Sequence, residues 1–330
     1  MQIETNLTRD QWLDRRVVGI GSSDAAVIVG VSPYKSALQL YHEKLGTKQP
    51  HRGELEQLRW GNILERPIGQ RYAEETGRMV DHLSPAGTFS IMRNDARPWQ
   101  HASLDGLVVR GLVPHVDGRV FKEFPADGDG VLEIKNASSY VGERWKDEPP
   151  IEFVVQVQHQ LAVTGKQWGS IAALIGGVLF LWQDLARDDC FIEILCKMEL
   201  EFIQRIEAKD PPPVDGSGHT KEFLKFLYPR DTGTSVSLGP EFLDVESDLV
   251  RAKAEIKSWE GAKALAENRL KAAIGDATMA RLPNNSSFTL KHQSVKAHMR
   301  EASEFRVLRH QAAKLPGPRP ELALPERVEA

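Results

Sequence analysis

Apolar residues are spaced for helices through the early part of the chain and for short strands after it. Ser22 and Ser23 are placed to cap a helix over 25–29, with Gly30 as its stop. Ser36 opens a second helix over 38–45, ended by Gly46. A third runs from about 54 to 76 with Gly77 as its stop, and Pro67 inside it predicts a kink. The first 80 residues therefore read as helical. The pattern then changes. Residues 88–92, 104–109 and 131–135 are short, apolar-rich and bounded by Gly, Pro or Asp, which predicts strands. Helical spacing returns over 151–164 through Val154, Val157 and Leu161. Residues 170–182 predict two buried strands joined near Gly176 and Gly177, and 188–209 predicts a helix. This order predicts an α/β domain with a central mixed β-sheet flanked by helices.

Pro211, Pro212 and Pro213, followed by Gly216-Ser217-Gly218, break the pattern and mark a boundary. It divides a domain over 1–215 from a C-terminal extension over 216–330. In the extension, 241–274 predicts one long helix with Leu249, Ala252, Ile256 and Trp259 on one face. From Pro316 the chain is rich in Pro and Glu and predicts a loose tail.

Composition narrows the class. A chain of 330 residues is long enough for a substantial core. Its 41% hydrophobic and 27% charged content is that of a globular protein. No apolar run reaches the roughly 18 residues of a membrane span, and the charged N-terminus lacks the apolar core of a signal peptide. Cys190 and Cys196 cannot build a disulfide framework or a zinc site alone, and they read as buried apolar residues, as do Trp168 and Trp182. The expectation is a cytoplasmic protein without a membrane partner. The net charge of −4 argues against a nucleic-acid partner when taken as one number. Its distribution does not. Residues 1–215 hold 24 basic and 31 acidic groups, whereas 251–314 hold 13 basic and 6 acidic. The long helix and this basic surplus suit a DNA-facing arm, an oligomer contact or a solvated face.

Four pieces carry candidate chemistry. In Val131-Leu132-Glu133-Ile134-Lys135, a strand would project Glu133 and Lys135 together and bury Ile134 on the other side. A carboxylate there suits a divalent metal, and a lysine beside it suits a water or a phosphorane-like charge. Ser103-Leu104-Asp105-Gly106 lies 28 residues earlier and reads either as a plain turn or as the start of a neighbouring strand. In the second case both carboxylates converge on one metal. Trp60-Gly61-Asn62-Ile63-Leu64-Glu65 places a glutamate on the long helix, where a surface position is the ordinary outcome. Gln156-Val157-Gln158-His159-Gln160 clusters polar groups on an apolar helix; they either line a site or form an exposed face.

As an ordered set these pieces resemble the YqaJ-like viral recombinase family, the group of the phage lambda-type exonuclease within the PD-(D/E)xK nucleases. The N-terminal Gly19-Ile20-Gly21-Ser22-Ser23-Asp24-Ala25-Ala26 and Gly30-Val31-Ser32-Pro33-Tyr34-Lys35 are similar to the family's first motif. Trp60 to Glu65, Thr76-Gly77, Leu132-Glu133-Ile134-Lys135 and Val155-Gln156-Val157-Gln158 with Thr164-Gly165 are similar to later ones. Ala102-Ser103-Leu104-Asp105-Gly106 departs from the family's Ser-Pro-Asp-Gly by Leu104 in place of proline. The resemblance covers about residues 12–215.

The resemblance implies a restriction-endonuclease-like core and a DNA exonuclease acting from duplex ends, 5′-to-3′, releasing 5′-mononucleotides. By the same token Asp105, Glu133 and the Ile134 carbonyl would hold Mg2+, with Mn2+ as substitute, and Glu65 would be an outer acidic ligand. Lys135 would position or activate the attacking water and Gln156 would line the site. Arg16 and Ser23, with Arg15 and Ser22 as rivals, would grip the DNA 5′-phosphate; a serine at a helix N-terminus and a forked guanidinium suit an anion. A single-strand annealing recombinase would be the partner, and a ring of three the assembly. Metal in the site would offset the acidic excess of residues 1–215. Two rivals are an endonuclease of the same fold and a DNA-end-binding scaffold without catalysis. The presence of Glu65, Asp105, Glu133 and Lys135 together speaks against the second. An α/β protein with an accidental Glu-x-Lys is the bland alternative, and the ordered motifs speak against it.

Overall fold

The computed structural model describes residues 1–47, 56–112, 128–145, 148–294, 306 and 308. The chain begins with β1 (Gln2–Leu7), α1 (Arg9–Val17), α2 (Ser22–Ile28), α3 (Ala37–Lys44) and α4 (Glu56–Thr76). It continues with β2 (Arg78–Asp81), β3 (Phe89–Arg93), β4 (His101–Ala102), β5 (Gly106–Leu112) and β6 (Gly130–Ala137). Then come α5 (Ser139–Arg144), α6 (Ile151–Thr164), β7 (Trp168–Ile175), β8 (Leu179–Ala186), α7 (Asp189–Ala208) and α8 (Gly218–Leu227). After these follow α9 (Phe242–Ile274), β9 (Met279–Arg281) and β10 (Ser287–Thr289).

The expected mixed sheet is present, in the order β2-β5-β6-β7-β8. Its β6–β7 pair is parallel and the other pairs are antiparallel. Parallel neighbours need a crossover, and α6 supplies it. Alternation along β6 gives the sheet two apolar faces. Leu132 and Ile134 pack with Ile68 and Tyr72 of α4, and with Val108, Trp168 and Ala172. Val131 packs with Phe153, Val157 and Leu161 of α6, and with Ile171 and Ala173. A turn with positive φ at Gly176 and Gly177 joins β7 to β8, as the sequence predicts.

Several expectations are corrected. The first 80 residues are not all helix. β1 forms a separate three-stranded sheet, β1-β3-β4, so the strand expected at 88–92 lies outside the central sheet. The cap of α2 is Gly21, whose N–H donates to Asp24 Oδ2 at 3.1 Å; Ser22 and Ser23 are its first helical residues. Helix α4, by contrast, spans nearly the expected range, with Pro67 inside it. Cys190 is exposed, in the first turn of α7, and Cys196 is buried.

The chain divides into two compact units, Met1–Leu227 and Tyr228–Ala330. The division falls after α8 rather than after Asp215. Helix α8 stays with the first unit because Phe223 packs 5.3 Å from the His42 ring and His219 bonds the Pro33 carbonyl. In the second unit α9 matches the predicted helix, but Trp259 of its apolar face is 73% exposed. The tail from Pro316 lies outside the described residues. Among the described residues no helix is long and apolar enough to cross a membrane.

Candidate active site

Glu133 and Lys135 stand on the α6 face of β6, two residues apart. The Lys135 ammonium bonds Glu133 Oε1 and donates to Gln156 Oε1 at 2.8 Å. It also lies 5.2 Å from the Phe153 ring. The other Glu133 oxygen, Oε2, accepts from Gln160 Nε2. Gln156 and Gln160 are four apart on α6 and so share one helix face.

Asp105 joins from the neighbouring strand. Strand β5 pairs with β6 only as far as Gly106 opposite Leu132. Beyond that point the Asp105 side chain replaces the strand, with Oδ2 accepting from the Ile134 N–H at 2.7 Å. The Asp105 carbonyl is held by His82 Nδ1 at 2.8 Å. A strand residue turns its N–H and C=O toward the same neighbour, so the Ile134 carbonyl faces the Asp105 side. The 28-residue spacing is therefore a connection between adjacent strands, and the plain-turn alternative falls.

Charge in this cluster is unbalanced. Burial, then the charges of Glu133 and Glu65, push the Asp105 carboxyl well above the usual carboxylate range. Burial, then Glu133, raises Glu65 on α4 as well. Burial alone would lower Lys135, but Glu133 and Asp105 overcome it and the ammonium is held above its ordinary value. Three carboxylates thus share one lysine, the arrangement in which a divalent cation relieves repulsion. Among the described residues no three His, Cys, Asp or Glu side chains form a ready metal cage. The donors on offer are the Asp105 and Glu133 carboxylates and the Ile134 carbonyl, with Glu65 behind them. Mg2+ keeps several waters and takes one or two carboxylates, so this set fits it.

A second cluster forms around α1 and α2. Arg16 donates to Ser23 Oγ at 3.1 Å, and its guanidinium lies 4.4 Å from the Trp12 ring centroid. Trp12 stacks on Phe89 and donates from Nε1 to Ser103 Oγ at 2.7 Å. Arg15, the rival, is paired with Glu4 at 3.1 Å. Ser22 Oγ is buried without a hydrogen-bond partner among the described residues. Underneath, Lys44 pairs with Asp24 at 2.8 Å and donates to the Arg16 carbonyl at 3.0 Å. Two glycines of this motif have backbone reasons. Gly19 has φ +89°, and a Cβ there would stand 2.3 Å from the Trp99 carbonyl oxygen. A Cβ on Gly21 would meet the His101 ring at 2.8 Å. They let Ile20 bridge to Trp99 and His101, through bonds of 2.7 and 3.0 Å.

Residues 11–167 match the family model of the YqaJ-like viral recombinase domain. That match spans just under half of the chain. Over 278 residues the chain is 27% identical to the uncharacterized protein YqaJ of Bacillus subtilis (strain 168), covering 83% of this chain and 80% of that one. It is also similar to the alkaline exonuclease LHK-Exo from Laribacter hongkongensis, at 21% identity and a TM-score of 0.46. That match covers 66% of this chain and 96% of the other. The structure of LHK-Exo in complex with dAMP gives 22% identity and the same TM-score and coverage.

The fold brings Glu65, Asp105, Glu133, Ile134, Lys135 and Gln156 into one neighbourhood and Arg16 with Ser23 into another. Its glutamine helix is buried, so the exposed-face alternative falls. Gln160 was absent from the expected site. The signal that reveals it is its position four residues after Gln156. Gln158, by contrast, serves the fold, bonding the Ala186 carbonyl at 2.7 Å and the Asp188 N–H at 3.0 Å.

Proposed function

We propose that this chain is a metal-dependent deoxyribonuclease of phage-type recombination that digests duplex DNA from its ends. The observation that carries the reading is the convergence of Asp105, Glu133 and Lys135 beside the Ile134 carbonyl. This is the donor set and the cation that hydrolysis of a phosphodiester requires. Its order along the chain, Asp105 and then Glu133-Ile134-Lys135, supports placing the domain with the PD-(D/E)xK nucleases. The YqaJ-like domain and the similarity to an alkaline exonuclease agree with the reading.

Asp105, Glu133 and the Ile134 carbonyl would hold Mg2+, or Mn2+ in its place, with Glu65 as the outer acid. When bound, the ion supplies polarisation of the scissile phosphate and a more acidic water. The chain's own groups do the remaining work. Lys135 stays protonated, because the neighbouring carboxylates hold its ammonium above its ordinary value. It therefore acts as a fixed positive charge that orients water and meets the negative charge of the transition state. Gln156 fixes the ammonium's direction through its 2.8 Å bond. Arg16 and Ser23 would take the terminal 5′-phosphate, with a guanidinium suited to two phosphate oxygens. That anchor favours digestion in the 5′-to-3′ direction, with 5′-mononucleotides released. The remaining 3′ strand would be handed to a single-strand annealing recombinase.

The test uses labelled linear duplexes bearing 5′-phosphate or 5′-hydroxyl ends, alongside closed-circular DNA, with and without Mg2+. The expected result is mononucleotide release from linear DNA alone, faster from phosphorylated ends and dependent on metal. Cleavage of closed circles at an equal rate would establish the endonuclease instead. No cleavage of any substrate would leave the DNA-end-binding scaffold.

A further inference from the structure

The buried face of α6 holds a group that the nuclease mechanism has not used. Gln160 is fully buried. Among the described residues, its side chain makes one hydrogen bond, from Nε2 to Glu133 Oε2, and its Oε1 has no donor. Turning the amide over would set an oxygen against a carboxylate oxygen, so the orientation is fixed by Glu133. A buried polar side chain normally satisfies both of its ends. Here one end is left unsatisfied while the other meets Glu133, so the amide serves the site rather than the fold. Gln158, two residues away, shows the opposite: both its ends bond the backbone around the β8–α7 junction.

We infer that Gln160 is a positioning residue for the metal site: it holds the Glu133 carboxylate in the rotation that presents it to a divalent cation. The inference rests on the nuclease reading above. Lys135 takes Oε1 and Gln160 takes Oε2, so the carboxylate plane is gripped at both corners. Gln156 in turn holds Lys135, so one helix face steadies both members of the Glu-x-Lys pair. Partners that orient ligating carboxylates typically set metal affinity by about 10–100-fold.

The test is a calorimetric titration of the full chain with Mn2+ and Mg2+, on the unaltered protein and on Gln160→Met, Gln160→Glu and Gln158→Met. Gln160→Met keeps side-chain volume and removes the donor. Gln160→Glu keeps shape and sets a carboxyl against Glu133. Gln158→Met is the control for a purely structural loss on the same helix. Thermal melts identify the folded variants, and if Gln160→Met does not fold, Gln160→Glu decides. The expected result is metal binding weakened about 10–100-fold in the Gln160 variants, with Gln158→Met within twofold of the unaltered protein. In nuclease assays the Mg2+ requirement should rise in parallel, while KM for DNA stays within twofold. Metal affinity unchanged in a folded Gln160 variant, or weakened equally by Gln158→Met, would overturn the inference and leave the nuclease reading standing. No metal binding by the unaltered protein would overturn both.

Discussion

The Trp12 indole donates from Nε1 to Ser103 Oγ across 2.7 Å, and so ties the helix that carries Arg16 to the turn that carries Asp105. The Arg16 guanidinium lies against the same indole ring. One aromatic side chain therefore touches the proposed phosphate anchor on one side and the approach to Asp105 on the other. Trp12→Phe keeps an aromatic ring and deletes the donor. It should cost about 1 kcal/mol of stability, the net worth of one hydrogen bond. Misplaced reacting groups lose up to about 100-fold in rate, and a drop of about tenfold in kcat/KM on 5′-phosphorylated ends is expected here. The ratio of rates on phosphorylated and hydroxyl ends measures it.

Lys135→Ala should lower kcat by about 10²–10³-fold, the range seen when a transition-state charge partner is removed. The fold should survive, because the ammonium is directed to Glu133 and Gln156 rather than to core backbone. Single-turnover rates on linear duplex, with circular dichroism for the fold, check both halves.

Asp105 and Glu65 have carboxyls held above their ordinary range by burial and by neighbouring negative charge. An acid whose folded-state value is raised favours the folded protein at low pH and penalises it as pH rises through that value. Metal-free protein should therefore lose stability as pH rises above the ordinary carboxylate range, and Asp105→Asn should flatten the loss and raise Tm in EDTA. Metal must displace those protons, so its affinity should rise over the same pH window. Melts across pH in EDTA, and calorimetry in buffers of different ionisation enthalpy, test the two statements.

Lys44→Met should destabilise the protein by about 3–5 kcal/mol, because it leaves the buried Asp24 carboxylate without its 2.8 Å partner. Burial alone would raise Asp24, but Lys44, then Lys35 and Arg16, hold it well below the usual range. Its contribution is present above the ordinary carboxylate value and is lost as pH falls below it. Urea denaturation at neutral and acidic pH should show the cost of the mutation shrinking in acid.

The site was legible in the sequence where chemistry coincided with period. Glu133 and Lys135 sit two apart on an apolar strand, and Asp105 directly precedes the strand that pairs with it, so alternation and spacing point to all three. β1 escaped because only Leu7 in it is buried; it is held by pairing with β3 rather than by an apolar face. Arg16 could not be separated from Arg15 on a short exposed helix until the Glu4 pair and the Ser23 bond placed them on different partners. Gln160 was hidden by its neighbours: three glutamines stand in one run, and only three-dimensional contacts divide their tasks. The boundary after Leu227 depended on Phe223 packing near His42, a contact between segments far apart in sequence.

Strand β6, helix α6 and strand β7 follow one another without interruption by any other strand of the sheet. Glu133, Lys135, Gln156 and Gln160 therefore all descend from one contiguous stretch of chain. Insertions before Gly130 or after Ile175 lengthen the protein without altering the spacing of these four groups. Length changes ahead of β6, or segments that follow β7 such as α9, thus leave this half of the candidate site intact as a single block.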